Sequence, residues 1–345
     1  MKVIFYSCKE FEIPYLKRCI PDSISVTFRK ESLSVDTVYL ANGFDAICIF
    51  TADDASAEVI DNLRLADIRF IATRAAGYDN IDLVAARNAG IGIANVPEYS
   101  PNAIAELAVA MMLALSRKLI IADRQVHQQN FTLDRLIGVD FKNKTIGIIG
   151  TGRIGSKVAA ILHGFGCKLL AYDIVKNKDL EEKYELEYTS LVNLCKLSDV
   201  ITIHVPLNSA THYLVNKSLI DQMRTGVLLI NTSRGSVVSI NDIIDALSTG
   251  KIGFLGLDVY EHEKGLFFYD HSTEELKDEV FKKLLSFPNV LITPHQGFAT
   301  HEALTNIAST TFRNLSFWSN NAHCENEIVH SDFSSSKSHV TVHLM

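Results

Sequence analysis

TIGIIGTGRIGSKVAAILHGFGCKLLAYD, Thr145 to Asp173, is the stretch whose reading decides the fold. An apolar run through Ile146, Ile148 and Ile149 reaches Gly150. Gly150, Gly152 and Gly155 then form G-x-G-x-x-G ahead of a helical apolar pattern at Ile154, Val158, Ala159, Ile161 and Leu162. A second apolar run, Lys168 to Tyr172, ends on Asp173, eighteen residues beyond Gly155. Strand, tight turn, helix and strand, closed by an acid, make the pattern of a dinucleotide site. Gly150 permits the turn, Gly152 lets backbone approach a pyrophosphate, and Gly155 lets the helix pack closely on the strand. The phosphates are expected at the helix N-terminus, where free N–H groups and the helix dipole favour negative charge. Asp173 suits the ribose hydroxyls and repels a 2′-phosphate, so NAD is expected over NADP. Lys176 and Lys178 soften that preference.

The rest of the chain frames this unit. Its 345 residues suffice for two domains with sizeable cores. With 47% hydrophobic and 21% charged residues, a formal net charge of -7 and no basic cluster, nucleic acid and anionic membrane are excluded as main partners. The opening MKVIFYSCKEFEIP is broken by Lys9 and Glu10 too soon for a secretory signal, and the most apolar helix, Leu107 to Leu115, is too short to span a bilayer. The six cysteines are scattered without a C-x-x-C pair, which fits reduced thiols in a cytoplasm. The histidines show no paired ligand spacing, so no metal is expected.

Before the glycine turn, apolar strands at Lys2–Tyr6, Ala46–Phe50, Arg69–Thr73 and Gly90–Asn95 alternate with helical patterns, as in a parallel sheet. Ser100 and Pro101 start a helix as cap and first residue. Apolar on nearly every side, that helix should be buried, leaving Glu106 either partnered inside or solvated in the first turn. After the turn, strands ending near Val205, Asn231, Val259 and Thr293 join the two already named to give six parallel strands in one doubly wound domain. A last helix runs from Thr300 to Trp318, and from about Ser331 the sequence becomes polar and Ser-rich, as in a disordered tail.

Arg234, Glu263 and His295 each fall just past a strand end, where ligands of such sheets bind. A guanidinium suits a carboxylate by bidentate pairing. A carboxylate bonded to one imidazole nitrogen fixes the tautomer and leaves the other to give or take a proton. On position alone, the plainer readings of Glu263 as a surface acid and His295 as a turn residue after Pro294 stay open.

GIIGTGRIG, VPLNSATHYLVN, NTSRGSVV, LDVYEHE and TPHQGF, in this order, resemble the D-isomer-specific 2-hydroxyacid dehydrogenases. ANGFDAICIF, DVYEHEKGLFFYD followed by DEVFKKLL, and HQGFATHEALTNI resemble in particular the bacterial fermentative D-lactate dehydrogenases. The likeness runs from Lys2 to about Val329. It implies an α/β fold of two Rossmann-like domains, with an NAD-binding doubly wound parallel sheet inserted into a discontinuous, flavodoxin-like substrate domain. The expected division is 1–100 and 298–330 for the substrate domain, 101–297 for the NAD domain and 331–345 for the tail.

The resemblance further implies Arg234 as the substrate-carboxylate residue, His295 as proton donor and Glu263 as its support. Cofactor contacts would come from Gly150, Gly152, Arg153, Ile154, Gly155, Asp173, Val205, Pro206, Thr211, Thr232, Ser233 and Asp258. Substrate contacts would come from Ala76, Gly77 and Tyr99, together with Arg234 and His295. Ala299 is small where relatives carry an aromatic residue, so Phe267, Phe268 or Tyr99 is expected to close the pocket. The expected activity is NADH-dependent reduction of pyruvate to D-lactate by a cytoplasmic homo-oligomer. The alternatives are another 2-oxo acid such as hydroxypyruvate or phenylpyruvate, or an NAD-sensing corepressor-like protein.

Overall fold

A computed structural model describes residues 1–329. The expected tail at 331–345 lies outside the described residues. The described residues divide into two compact units, one of Met1–Tyr99 with residues 301–329, the other Ser100–Thr300.

In the first unit, β1 (Lys2–Phe5), β2 (Ser25–Phe28), β3 (Ala46–Ile49), β4 (Phe70–Thr73) and β5 (Gly92–Ala94) are parallel in the order β2-β1-β3-β4-β5. A final strand, Glu327–Val329, adds antiparallel to β5. β2 and Glu327–Val329 are edge strands beyond the four expected from sequence; each is short and only part-buried, so neither carries a long apolar run. The central strands are buried on both faces, which is why AICI and FIAT read as unbroken apolar runs. One face is covered by the helix His301–Ser319, whose Phe312 stacks on Phe5 and Trp318 on Phe70.

At the carboxyl end of β4 lies Arg74, 1% exposed. Its guanidinium pairs with Glu12 through both oxygens, at 3.1 and 3.0 Å, and donates to the carbonyls of Tyr6 and Cys48 at 3.0 and 3.3 Å. The rings of Phe5 and Phe50 flank it. A charge so far from water is tolerated because nearly all its donors are satisfied, and the cluster ties the ends of β1, β3 and β4 together.

In the second unit, β6 (Thr145–Ile149), β7 (Lys168–Tyr172), β8 (Glu187–Tyr188), β9 (Val200–Ile203), β10 (Val227–Asn231), β11 (Ile252–Leu257) and β12 (Val290–Ile292) form a parallel sheet ordered β12-β11-β10-β9-β6-β7-β8. The sheet thus has seven strands, not six. β8 is a two-residue edge strand whose pattern is too short to register in the sequence. Strand order reverses between β6 and β9, which makes the turn after β6 the topological switch point. The helix Pro101–Ser116, capped by Ser100 Oγ on the Ala103 N–H at 3.2 Å, packs on β10, β11 and β12 and on the helix Arg153–Gly164. Glu106 faces solvent, so it needs no buried partner.

His204 follows β9 directly. Its Nε2 shares a hydrogen bond with Thr202 Oγ1 at 2.9 Å, while Nδ1 is buried without a partner among the described residues. Burial disfavours the imidazolium and lowers the pKa from 6.5 to about 3. The unfolded chain therefore binds one more proton than the folded one between those values, so this contribution to stability is complete above pH 6.5 and declines as pH falls toward 3. Urea titrations of wild type and His204→Asn across that range should show the wild type losing up to about 1.4 kcal/mol more per pH unit. Parallel pH profiles would mean that His204 titrates normally in the folded protein.

Candidate active site

The glycine turn is shaped by close approaches that no side chain would permit. Gly150 has φ +91°, and a Cβ there would lie 2.6 Å from the His204 carbonyl oxygen. One on Gly155 would lie 2.0 Å from the Gly150 carbonyl oxygen. Gly152, by contrast, has no atom within 4 Å of where its Cβ would be, so its backbone borders open space at the start of the helix Arg153–Gly164. Its neighbour Thr151 donates to Asp173 Oδ2 through its N–H at 2.5 Å and its hydroxyl at 3.0 Å, while Asp173 Oδ1 accepts the Val175 N–H at 3.0 Å. Asp173 is thus locked to the turn it follows in space. Thr151, Gly152, Asp173, Val175, Lys176, Asn177, Lys178 and Asp179 line a cavity of about 440 Å³. Both lysines named from the sequence border it, so the carboxylate does not set the charge there alone.

Beyond β9 in the same sheet, a second group gathers past β10, β11 and β12. His295 Nδ1 is 2.8 Å from Glu263 Oε1, and Glu263 Oε2 accepts the Tyr260 N–H at 3.1 Å. Both carboxylate oxygens are therefore oriented, and the His295 side chain is left 14% exposed. With Nδ1–H given to the carboxylate, Nε2 is the nitrogen available for proton exchange. The histidine sits at φ +55° in a tight turn, its N–H donating to the Thr293 carbonyl at 2.9 Å.

Asp258 holds that turn. Its buried carboxylate accepts the Thr293 hydroxyl at 2.5 Å, the Gln296 N–H at 2.8 Å and the Gly297 N–H at 2.9 Å. Burial raises its pKa, and these donors pull in the opposite direction. Expected from the resemblance as a nicotinamide contact, Asp258 spends its carboxylate in the structure on the backbone that carries His295.

Arg234 leaves β10 through a similar support. Asn231, fully buried, accepts the Ser233 N–H and hydroxyl at 3.0 and 2.7 Å and donates to the Arg234 carbonyl at 2.9 Å. Arg234 Nη1 donates to the Ser233 carbonyl at 2.9 Å. A Cβ on Gly235 would meet Tyr260 and Glu261 backbone at 2.2 and 2.3 Å, so only glycine lets the loop after β10 lie against the loop after β11. Asn231, Gly235, Tyr260 and Thr293 were not singled out from sequence as site residues. Their signal is contact across strands, which a linear pattern does not carry.

The other expected residues divide by setting. Thr232 Oγ1 is buried with no partner among the described residues, as a group awaiting a ligand would be. Val205 and Pro206 follow β9 beside Gly150. Thr211 instead closes its own turn, donating to the Pro206 carbonyl at 2.6 Å and accepting the Asn208 N–H at 2.9 Å. Of the two candidate pocket phenylalanines in this unit, Phe268 lies 5.8 Å from the His295 ring and 6.3 Å from Phe298, ring centre to ring centre. Phe267 is buried and packs edge-on against Phe281. Ala76, Gly77 and Tyr99 belong to the first unit, and Tyr99 is held by Asn306 Nδ2 on its carbonyl at 2.7 Å. An open Gly152, an unpartnered Thr232 hydroxyl and a helix N-terminus fit a bound dinucleotide.

Among the described residues no helix is long and apolar enough to cross a membrane. The family model for the D-isomer specific 2-hydroxyacid dehydrogenase NAD binding domain matches residues 109–297. The chain is 41% identical over 330 residues to the D-lactate dehydrogenase of Escherichia coli (strain K12), spanning 95% of this chain and 100% of that protein. The apo structure of Escherichia coli D-lactate dehydrogenase is similar with a TM-score of 0.85 at 40% identity, covering 95% and 100% of the two chains. D-lactate dehydrogenase from Aquifex aeolicus, solved with NAD and lactic acid, gives 0.84 at 35% identity over 92% and 96%. An aromatic 2-oxoacid reductase of Clostridium sporogenes (strain ATCC 15579) is 39% identical over 331 residues, 95% of this chain and 99% of that protein. The chain belongs to the D-isomer-specific 2-hydroxyacid dehydrogenase family, and it is an NAD-dependent member of it.

Proposed function

We propose that the enzyme reduces pyruvate to D-lactate, with Arg234 binding the substrate carboxylate, His295 donating the proton and Glu263 holding His295. The observation that carries this reading is the 2.8 Å contact from His295 Nδ1 to a Glu263 carboxylate whose other oxygen is already fixed. Bound NADH supplies the hydride that reaches the ketone carbon. Protonated His295 gives its Nε2 proton to the oxygen as negative charge builds there, and Glu263 stabilises the imidazolium beforehand. Arg234 grips the carboxylate and lowers the energy of the developing alkoxide. Asp173 and the glycine turn hold the dinucleotide, with Arg153, Ile154, Val205, Pro206, Thr232 and Ser233 as further contacts. Ala76, Gly77 and Tyr99 contribute to substrate binding.

A larger 2-oxo acid is the second reading. Ala299 is small and exposed beside Phe298, and a relative of nearly equal identity is an aromatic 2-oxoacid reductase. Following NADH loss with pyruvate, hydroxypyruvate and phenylpyruvate, and identifying the product enantiomer, separates the two; a clear preference for phenylpyruvate would reject pyruvate as the substrate.

We further propose a homo-oligomer assembled through residues 119–139. The helix Leu119–His127 buries no residue, and Phe131, Leu133 and Ile137 are 72%, 71% and 79% exposed. So much adjoining apolar surface suits a second copy of the chain. Phe131→Asp with Ile137→Asp should lower the mass seen by light scattering to that of a monomer, and an unaltered mass would move the interface elsewhere.

His295→Gln should reduce turnover by roughly 10²-fold or more while NADH affinity, read by fluorescence, stays near wild type. Pyruvate reduction at the wild-type rate would remove His295 from the mechanism. Arg234→Lys should raise the pyruvate KM roughly tenfold or more, because a point charge cannot reproduce the fork. Unchanged KM and turnover would make Arg234 a structural residue.

A further inference from the structure

The loop after β4 presents two adjacent backbone donors. Ala76 and Gly77 are half-buried, and neither N–H donates to another group among the described residues. Consecutive free N–H groups at the carboxyl end of a parallel strand suit an anion, provided their peptides face the right way. A rotated Ala76–Gly77 peptide would turn a carbonyl toward the anion instead.

One side chain determines which way that peptide faces. Asn95, 7% exposed at the end of β5, donates from Nδ2 to the Ala76 carbonyl oxygen at 2.8 Å. In a trans peptide the C=O and N–H point in opposite directions. Holding the Ala76 oxygen toward Asn95 therefore directs the Gly77 N–H away from it. The preceding carbonyl, of Ala75, is held separately by the Val96 N–H at 3.0 Å.

Asn95 is itself fixed from behind. Its carbonyl accepts Asn314 Nδ2 at 2.8 Å, and its N–H donates to the Asn326 carbonyl at 3.3 Å. Asn314, fully buried on the helix His301–Ser319, accepts Asn326 Nδ2 at 2.9 Å through its Oδ1. Three amide side chains, drawn from both sequence segments of the first unit, thus form a relay: Asn326 holds Asn314, Asn314 holds the Asn95 backbone, and Asn95 holds the Ala76 carbonyl. Such a relay favours a single arrangement, since moving Asn95 or Asn314 would leave a buried polar group without its partner. The chemistry also requires an amide at 95, because an aspartate of the same shape could only accept.

We infer that Asn95, backed by Asn314 and Asn326, is a positioning residue that aims the Gly77 N–H at the carboxylate of the 2-oxo acid substrate. This rests on the proposed role of Ala76 and Gly77 in substrate binding. In this role Asn95 acts through the peptide it orients.

The test is steady-state kinetics of the full-length Asn95→Ala enzyme with saturating NADH, read beside thermal unfolding and NADH binding. The expected result is a pyruvate KM raised roughly tenfold, a smaller fall in kcat, and NADH affinity close to wild type. An unaltered KM, or a lower melting temperature without a change in KM, overturns the inference and leaves Asn95 as core packing. If Asn95→Ala does not fold, Asn326→Ala decides. Loss of its side-chain donor should raise the pyruvate KM by about threefold with little change in melting temperature, and an unchanged KM again overturns the inference. Arg234→Lys separates this outcome from failure of the underlying reading. A raised KM in Arg234→Lys but not in the asparagine variants rejects the positioning role alone. A wild-type enzyme that turns over no 2-oxo acid rejects both.

Discussion

The buried carboxylate of Asp258 is the constraint on which the catalytic end of the nucleotide unit depends. It receives the Thr293 hydroxyl and the N–H groups of Gln296 and Gly297, three donors from one short turn. That turn holds His295 at a positive φ, a conformation that costs about 1 kcal/mol or more for a residue with a side chain. Charge-assisted bonds in a water-poor setting are strong enough to offset that cost. Asp258 belongs to the segment after β11 and His295 to the segment after β12, so the interaction also joins neighbouring strand ends.

A second constraint acts where β6 meets the helix Arg153–Gly164. The backbone there is so close that only glycine fits at 150 and 155, and the space thereby kept open at Gly152 is where a pyrophosphate can reach helix N–H groups. Asp173 is bound to Thr151 inside the same turn, so the ribose acid and the phosphate loop move as one piece. This rigidity suits a cofactor site, because a bound dinucleotide then meets donors already in place.

Both units treat buried polar groups alike. Arg74 with Glu12, Asn231 with Ser233 and Arg234, and the Asn95, Asn314 and Asn326 set all lie at or beside carboxyl ends of parallel strands, and all are hydrogen-bonded there. Away from water, each unmade bond would cost about 1–3 kcal/mol, so each set favours one backbone arrangement over its neighbours. Loops that must present free donors or a histidine gain their shape from these sets rather than from packing of apolar side chains.

From sequence alone, the alternation of apolar runs with helical patterns established two parallel α/β sheets, and the spacing from Gly150 to Asp173 established a dinucleotide turn. Both are local signals, set by residues adjacent in the chain or one helix apart. The edge strands β2, β8 and Glu327–Val329 are not legible there, because part-buried pairs and short runs leave little period to read. Arg234, Glu263 and His295 were visible as residues past strand ends, but nothing in the linear order joins Glu263 to His295 rather than to solvent. That partnership, the use of Asp258 as an anchor, the inward turn of Phe267 and the aim of Asn95 at Ala76 were decided by tertiary structure. Hydrogen-bond partners follow from strand order and depth of burial, and those arise only when β10, β11 and β12, or β4 and β5, come to lie side by side.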